Sequence, residues 1–189
     1  MENTIKKINN SKIDELILNS NNPFNSMSIQ IPFSFAQKAV SLNWSDILFA
    51  TDNRYFCSDA VIEYAKDMLL DTYDEEVINL AGLEKNINFE EDLHNLLKKL
   101  SLRIPKQIRM DSKKKIMYVL LKLIYENRDR FEDCFKAIEV VYDDFGCPKS
   151  IESFVRYMQI NMKLDNKDYQ ILMNRWLNYL QDESLKYSE

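Results

Sequence analysis

His94 is the chain's only histidine, and it follows Glu91 by three residues, which would set a carboxylate and an imidazole on one helix face. Carboxylate-bridged di-iron bundles use that pair, but they need it twice together with two further glutamates. With no second histidine here, the pair reads as a surface histidine beside a helix-capping glutamate. Nucleophilic chemistry has no better footing. Serine and cysteine nucleophiles are activated by an adjacent base, and no Ser or Cys sits in such a motif. Cys57, Cys134 and Cys147 are an odd number at wide spacing with no Cys-x-x-Cys, which speaks against a zinc site or a disulfide framework.

Carboxylates cluster at Asp74-Glu75-Glu76 and at Glu90-Glu91-Asp92, in the first turns of predicted helices, where negative charge complements the helix dipole. Asp143 and Asp144 break that rule, because they fall in the last turn of a helix, where negative charge is unfavourable. Such violations mark sites where a partner compensates. Two readings stay open: an ion pair with Arg156 on the following helix, or a contact surface for another molecule.

Charge is unevenly distributed. The net charge is −5, yet residues 98–115 hold eight bases (Lys98, Lys99, Arg103, Lys106, Arg109, Lys113, Lys114, Lys115) against one acid, Asp111, leaving −12 on the remainder. The basic stretch contains no aromatic ring on which a base could stack, which disfavours nucleic-acid binding. It is read as a solvated face or turn, or as a docking face for an acidic partner or a phosphate backbone.

The elements that must position these groups are helices. Only two glycines, Gly82 and Gly146, and four prolines occur in 189 residues, too few for an all-β fold or a phosphate-cradling loop. A hydrophobic fraction of 46% with 29% charged residues suits a chain that buries a core. Apolar residues recur at helical spacing, as in Val61, Tyr64, Ala65, Met68 and Leu69. About nine helices are predicted, giving an all-α fold, with stacked antiparallel helix pairs as one topology. Expected helix starts include Ser45, Ser58, an Asn88–Glu91 capping box, Asp111 before the most apolar helix, Ser150, and Asn166. Residues 1–28 read as an N-terminal extension with a short helix and an Asn/Ser-rich linker, and residues 29–189 as the helical domain. No secretory leader or membrane span is recognisable, so a cytoplasmic protein without a cofactor is expected.

Several segments carry a resemblance. They are Ile31-Pro32-Phe33-Ser34-Phe35, Leu42-Asn43-Trp44-Ser45-Asp46-Ile47, Ser58 with Ile62-Glu63-Tyr64-Ala65, Tyr142-Asp143-Asp144-Phe145-Gly146-Cys147-Pro148, and Phe154-Val155-Arg156-Tyr157-Met158. Over roughly residues 30–160 the chain resembles an uncharacterised bacterial helical family, a domain of unknown function whose members are thought to include immunity proteins of polymorphic toxin systems. That resemblance implies a protein that binds and neutralises a cognate toxin domain and has no active site. The expected contact residues are Asp143, Asp144, Arg156, Trp44 and Asp46. Three other functions compete: a helical adaptor with another partner, an enzyme relying on carboxylates alone, and a nucleic-acid binder.

Overall fold

The computed structural model describes residues 8–70, 73–159 and 166–187. Among these the fold is all-α, with nine α-helices, three short 3-10 turns and no strand beyond one isolated bridge. The helices group into two compact units.

One unit is Ile29–Ile116. It contains α2 (Phe33–Ala39), α3 (Trp44–Asp52), α4 (Ser58–Met68), α5 (Glu75–Ala81), α6 (Phe89–Leu102) and the first half of α7 (Lys106–Glu126). α3 packs on α6, α4 on α5, and α5 on α6. The helical spacing read from the sequence is what buries Val61, Tyr64 and Ala65 from α4 and Leu93, Leu97 and Leu100 from α6.

Several helix ends differ from the sequence reading, each for a local reason. α3 starts two residues earlier than a Ser45 cap implies, because Asn43 takes the cap: its Oδ1 accepts from the Ser45 and Asp46 amides while Asp46 Oδ2 accepts from the Asn43 amide at 3.0 Å. At α4 the cap position is Cys57, and the Ser58 hydroxyl donates to Glu90 instead. The Asn88–Glu91 capping box does not form; the Asn88 side chain makes no cap bond, and its amide donates to Asn86 Oδ1. Asp74 does cap α5, accepting from the Glu76 and Val77 amides. α7 begins at Lys106, five residues before Asp111. Pro105 ends one helix and opens the next, since a first turn has no use for its missing N–H and its carbonyl accepts from the Arg109 amide at 3.1 Å. Ser150 starts no α-helix; Lys149–Phe154 and Arg156–Met158 are 3-10 turns.

The other unit takes in residues 8–28 and the chain from Met117 onward. It contains α1 (Asn10–Asn19), the second half of α7, α8 (Cys134–Asp144), the 3-10 turns and α9 (Asn166–Tyr187). Residues 8–28 therefore pack within this unit. The Ile8 amide donates to the Arg130 carbonyl, the Glu132 amide donates to Ile8, Lys136 pairs with Asp14 at 2.6 Å, and Ile13 is buried. Trp176 of α9 is the centre of this unit, with Tyr125 edge-on at 4.9 Å and Phe154 stacked at 6.2 Å. As the apolar pattern requires, residues 116–121 of α7 are all buried.

The buried ion pair of the first unit sets a stability prediction. Asp46 is 0% exposed, and its Oδ2 also accepts from Lys115 Nζ at 2.6 Å. Removing one partner strands a buried charge, which costs about 3–5 kcal/mol. Lys115→Ala should lower the urea-unfolding free energy by about 3 kcal/mol, and Lys115→Ala with Asp46→Asn should recover part of it. Equal stability of Lys115→Ala and the parent chain would rule out the strut.

Candidate functional site: the acidic corner after α8

α8 is amphipathic, with Phe135, Ile138, Val141 and Tyr142 buried, and Asp133 caps it by accepting from the Phe135 amide at 3.0 Å. The helix stops in a tight reversal. The Gly146 amide donates to the Asp143 carbonyl and the Cys147 amide to the Tyr142 carbonyl, at 3.0 and 2.9 Å. Gly146 accordingly has φ 80°, and Cys147 has φ 55°, a conformation that a residue with a Cβ rarely adopts. Pro148 and the two 3-10 turns then carry the chain back, so that Tyr157 returns to the end of α8.

This return orients Asp143. The Tyr157 hydroxyl donates to Asp143 Oδ1 at 2.6 Å, and the Tyr157 ring meets Tyr142 edge-on at 5.9 Å. Burial and the adjoining Asp143 carboxylate push the Tyr157 phenol well above its ordinary pKa, so it stays a donor. Asp143 is exposed, and in the returning turn Tyr157 is 53% and Met158 40% exposed. The periodic pattern places Met158 inward, but the 3-10 geometry changes the phase and turns it out.

Asp144 faces inward instead. Its carboxylate accepts from the Ser26 amide at 2.9 Å and from the Ser26 hydroxyl at 2.5 Å. Burial raises its pKa, and the Ser26 hydrogen bonds oppose the rise.

Arg156 pairs with neither aspartate, contrary to the expected ion pair. Its Nε and Nη2 donate to the two Glu139 oxygens at 2.9 and 3.0 Å, and Nη1 reaches Asp133 Oδ2 at 2.5 Å. The hydrogen bond to Glu139, partly offset by desolvation, holds the guanidinium above its usual pKa. Glu139 lies on the α8 face a turn before Asp143, within a bidentate fork's reach, and this geometry wins over proximity in sequence.

Trp44 and Asp46 belong to the Ile29–Ile116 unit and are buried, so neither offers a contact surface. Trp44 packs edge-on against Tyr64 at 4.6 Å, and Asp46 is committed to the α3 cap and Lys115. Of the five expected contact residues, only Asp143 is exposed. Tyr157 was missed because only the return of the chain reveals its role; an aromatic next to a motif arginine was the available signal. His94 Nδ1 lies 3.2 Å from Asp52, and among the described residues no three His, Cys, Asp or Glu side chains gather as a metal site. Among the described residues, too, no helix is long and apolar enough to cross a membrane.

An exposed carboxylate held by a tyrosine at a strained reversal offers hydrogen-bond acceptance beside an aromatic ring. The chain belongs to DUF2247, an uncharacterised protein family conserved in bacteria, whose family model matches residues 33–184. The match reaches past the resemblance read from the sequence and takes in most of α9. No curated protein and no solved structure gives a significant match.

Asp144 gives a pH prediction. A carboxyl whose folded pKa is raised contributes stability below its unfolded pKa, and that contribution is lost as pH rises through the folded pKa. Relative to Asp144→Asn, the parent chain should therefore gain stability as pH falls from 6.5 toward 3.8, measured by urea unfolding at each pH. A difference that stays constant with pH would refute it. Asp143→Lys, at an exposed position, should change stability by about 0.5 kcal/mol or less.

Proposed function

We propose that the chain is a non-enzymatic immunity protein that binds and neutralises a cognate bacterial toxin domain in the cytoplasm, with the corner after α8 as its contact surface. The observation that carries the reading is the exposed Asp143 carboxylate, aimed by the Tyr157 hydroxyl, with Tyr157 and Met158 also exposed in the turn that returns to α8. Tyrosine and methionine are enriched in protein interfaces, where an apolar body and a polar tip meet one partner. The acid is fixed before binding, so little conformational freedom is lost on association. A negative edge suits a basic partner surface and would speed capture. The resemblance read from the sequence implies the same role, and membership in a family conserved in bacteria is compatible with it.

The test is co-expression with the C-terminal domain of the large protein encoded beside this chain. Survival should be restored by the parent chain, and Asp143→Lys with Tyr157→Ala should weaken binding about 30-fold or more and abolish rescue. The helicity of this double variant, checked by circular dichroism, should be unchanged. Toxicity left untouched by the parent chain would overturn the immunity reading in favour of an adaptor with another partner. Rescue undiminished by the double variant would overturn the corner.

A further inference from the structure

Residues 98–115 contain eight bases, and several of them have acidic partners in the structure. Arg103 bridges Asp74 and Glu76, Lys114 lies against Asp111, and Lys115 is held by Asp46. Among the described residues Lys106 and Arg109 have no acidic partner. With Lys113 they recur at helical spacing along about 10 Å of α7, and all three line an open cleft of about 450 Å³.

α3 and α6 supply the remaining walls. Leu48, Phe49 and Met110 form an apolar side, and Ser45, Ser101 and Ser112 add hydroxyls. Ser45 donates to Asn43 Oδ1 and Ser112 lies 2.9 Å from Ser45 Oγ, so both hydroxyls are engaged. Ser101 is only 3% exposed and lines the cleft, and among the described residues its hydroxyl makes no hydrogen bond. Asp52, 3.2 Å from His94, also lines the cleft.

The first turn of α7 contains no acid. It bears Lys106 and Arg109, cations set where the helix dipole and orphan amides are already positive. An anion would relieve this repulsion and use the amides as donors. A lone carboxylate is satisfied by a single arginine fork, whereas three cations and a hydroxyl match a tetrahedral group with charge near −2 and oxygens in several directions. The apolar wall and Asp52 suit a ligand with an apolar body and a hydroxyl or amine that can donate to that carboxylate.

We propose that this cleft binds a phosphate group carried by a small molecule or a lipid headgroup, gripped by Lys106, Arg109 and Lys113 with the Ser101 hydroxyl as a further donor. The proposal concerns the Ile29–Ile116 unit and does not depend on toxin binding.

The test is a two-dimensional amide NMR titration of the full chain with pyrophosphate, beside flotation with phosphatidylcholine vesicles lacking or containing phosphatidic acid. Saturable shifts are expected at residues 101 and 106–113. Arg109→Lys, which keeps the charge and loses the fork, should weaken binding about tenfold. Lys106→Glu, at an exposed position, should abolish it, whereas the same change at exposed Lys66 on α4 should leave it intact. Pyrophosphate binding assigns a soluble phosphate compound. Binding only to phosphatidic acid vesicles, lost in Lys106→Glu, assigns a headgroup. Shifts that never saturate together with no vesicle binding, or equal binding by Lys106→Glu and Lys66→Glu, would overturn the site.

Discussion

The carboxylate of Asp46 is the constraint on which the Ile29–Ile116 unit depends. It is fully buried, and one of its oxygens is shared between the Asn43 amide, which starts α3, and the Lys115 ammonium on α7. Lys115 also donates to the Ser41 carbonyl, so a single cation ties the α2–α3 connection and α3 to α7. The second oxygen, Oδ1, has no partner among the described residues. A buried charge is tolerable only with its counterion at short range, so the pair fixes α3 against α7 more strictly than apolar packing could. Beside it, Ser112, Ser45 and Asn43 form a short hydroxyl–amide chain along the same seam. The cation-lined cleft opens next to this seam, and its walls inherit that rigidity.

The other unit solves a similar problem with one arginine. Arg156 sits between Asp133, which caps the start of α8, and Glu139, in its middle. It lies 6.0 Å over the ring of Phe135, itself packed against Trp176. One guanidinium therefore links the 3-10 return to two turns of α8 and to the aromatic core, a role that the point charge of a lysine could not fill. Because Arg156 is used in this way, Asp143 is left to the Tyr157 hydroxyl and faces outward.

Much of this was legible in the sequence, and the failures share a cause. Scarce glycine and apolar spacing pointed to an all-α fold of about nine helices, because both signals are local. Asp74 was correctly placed at the head of α5, since its carboxylate bonds amides two and three residues away. Ser45 was not the cap, because Asn43 competes for the same amides and forms the reciprocal bond with Asp46. Asn88 fits the capping pattern yet caps nothing, its amide being taken by Asn86. Ser150 fails because the chain after Pro148 is tightened into 3-10 turns as it returns to α8. The long-range pairs, Lys115 with Asp46 and Ser26 with Asp144, join residues 69 and 118 positions apart, and no local spacing encodes them. Trp44 and Asp46 looked like contact residues for that reason: a distinctive segment can be distinctive because it is a structural node.

Both candidate surfaces began as the same kind of local conflict, charge on the wrong end of a helix dipole. At the C-terminal end of α8 the structure resolves the conflict within the chain, through Ser26 for Asp144 and Tyr157 for Asp143. A hydrogen-bonded acid that remains exposed can still accept from outside, so the corner is suited to recognition without being unstable alone. At the N-terminal end of α7 the resolution is incomplete. The acids that could neutralise the stretch go to Arg103, Lys114 and Lys115, leaving Lys106 and Arg109 beside the orphan amides of the first turn. Repulsion among exposed cations is weakened by water and salt, so the fold tolerates it. In the cleft, with one apolar wall and a buried hydroxyl, screening is weaker and the positive potential is focused. The two ends thus differ in what they leave for another molecule: a fixed acceptor after α8, and an uncompensated field at the start of α7.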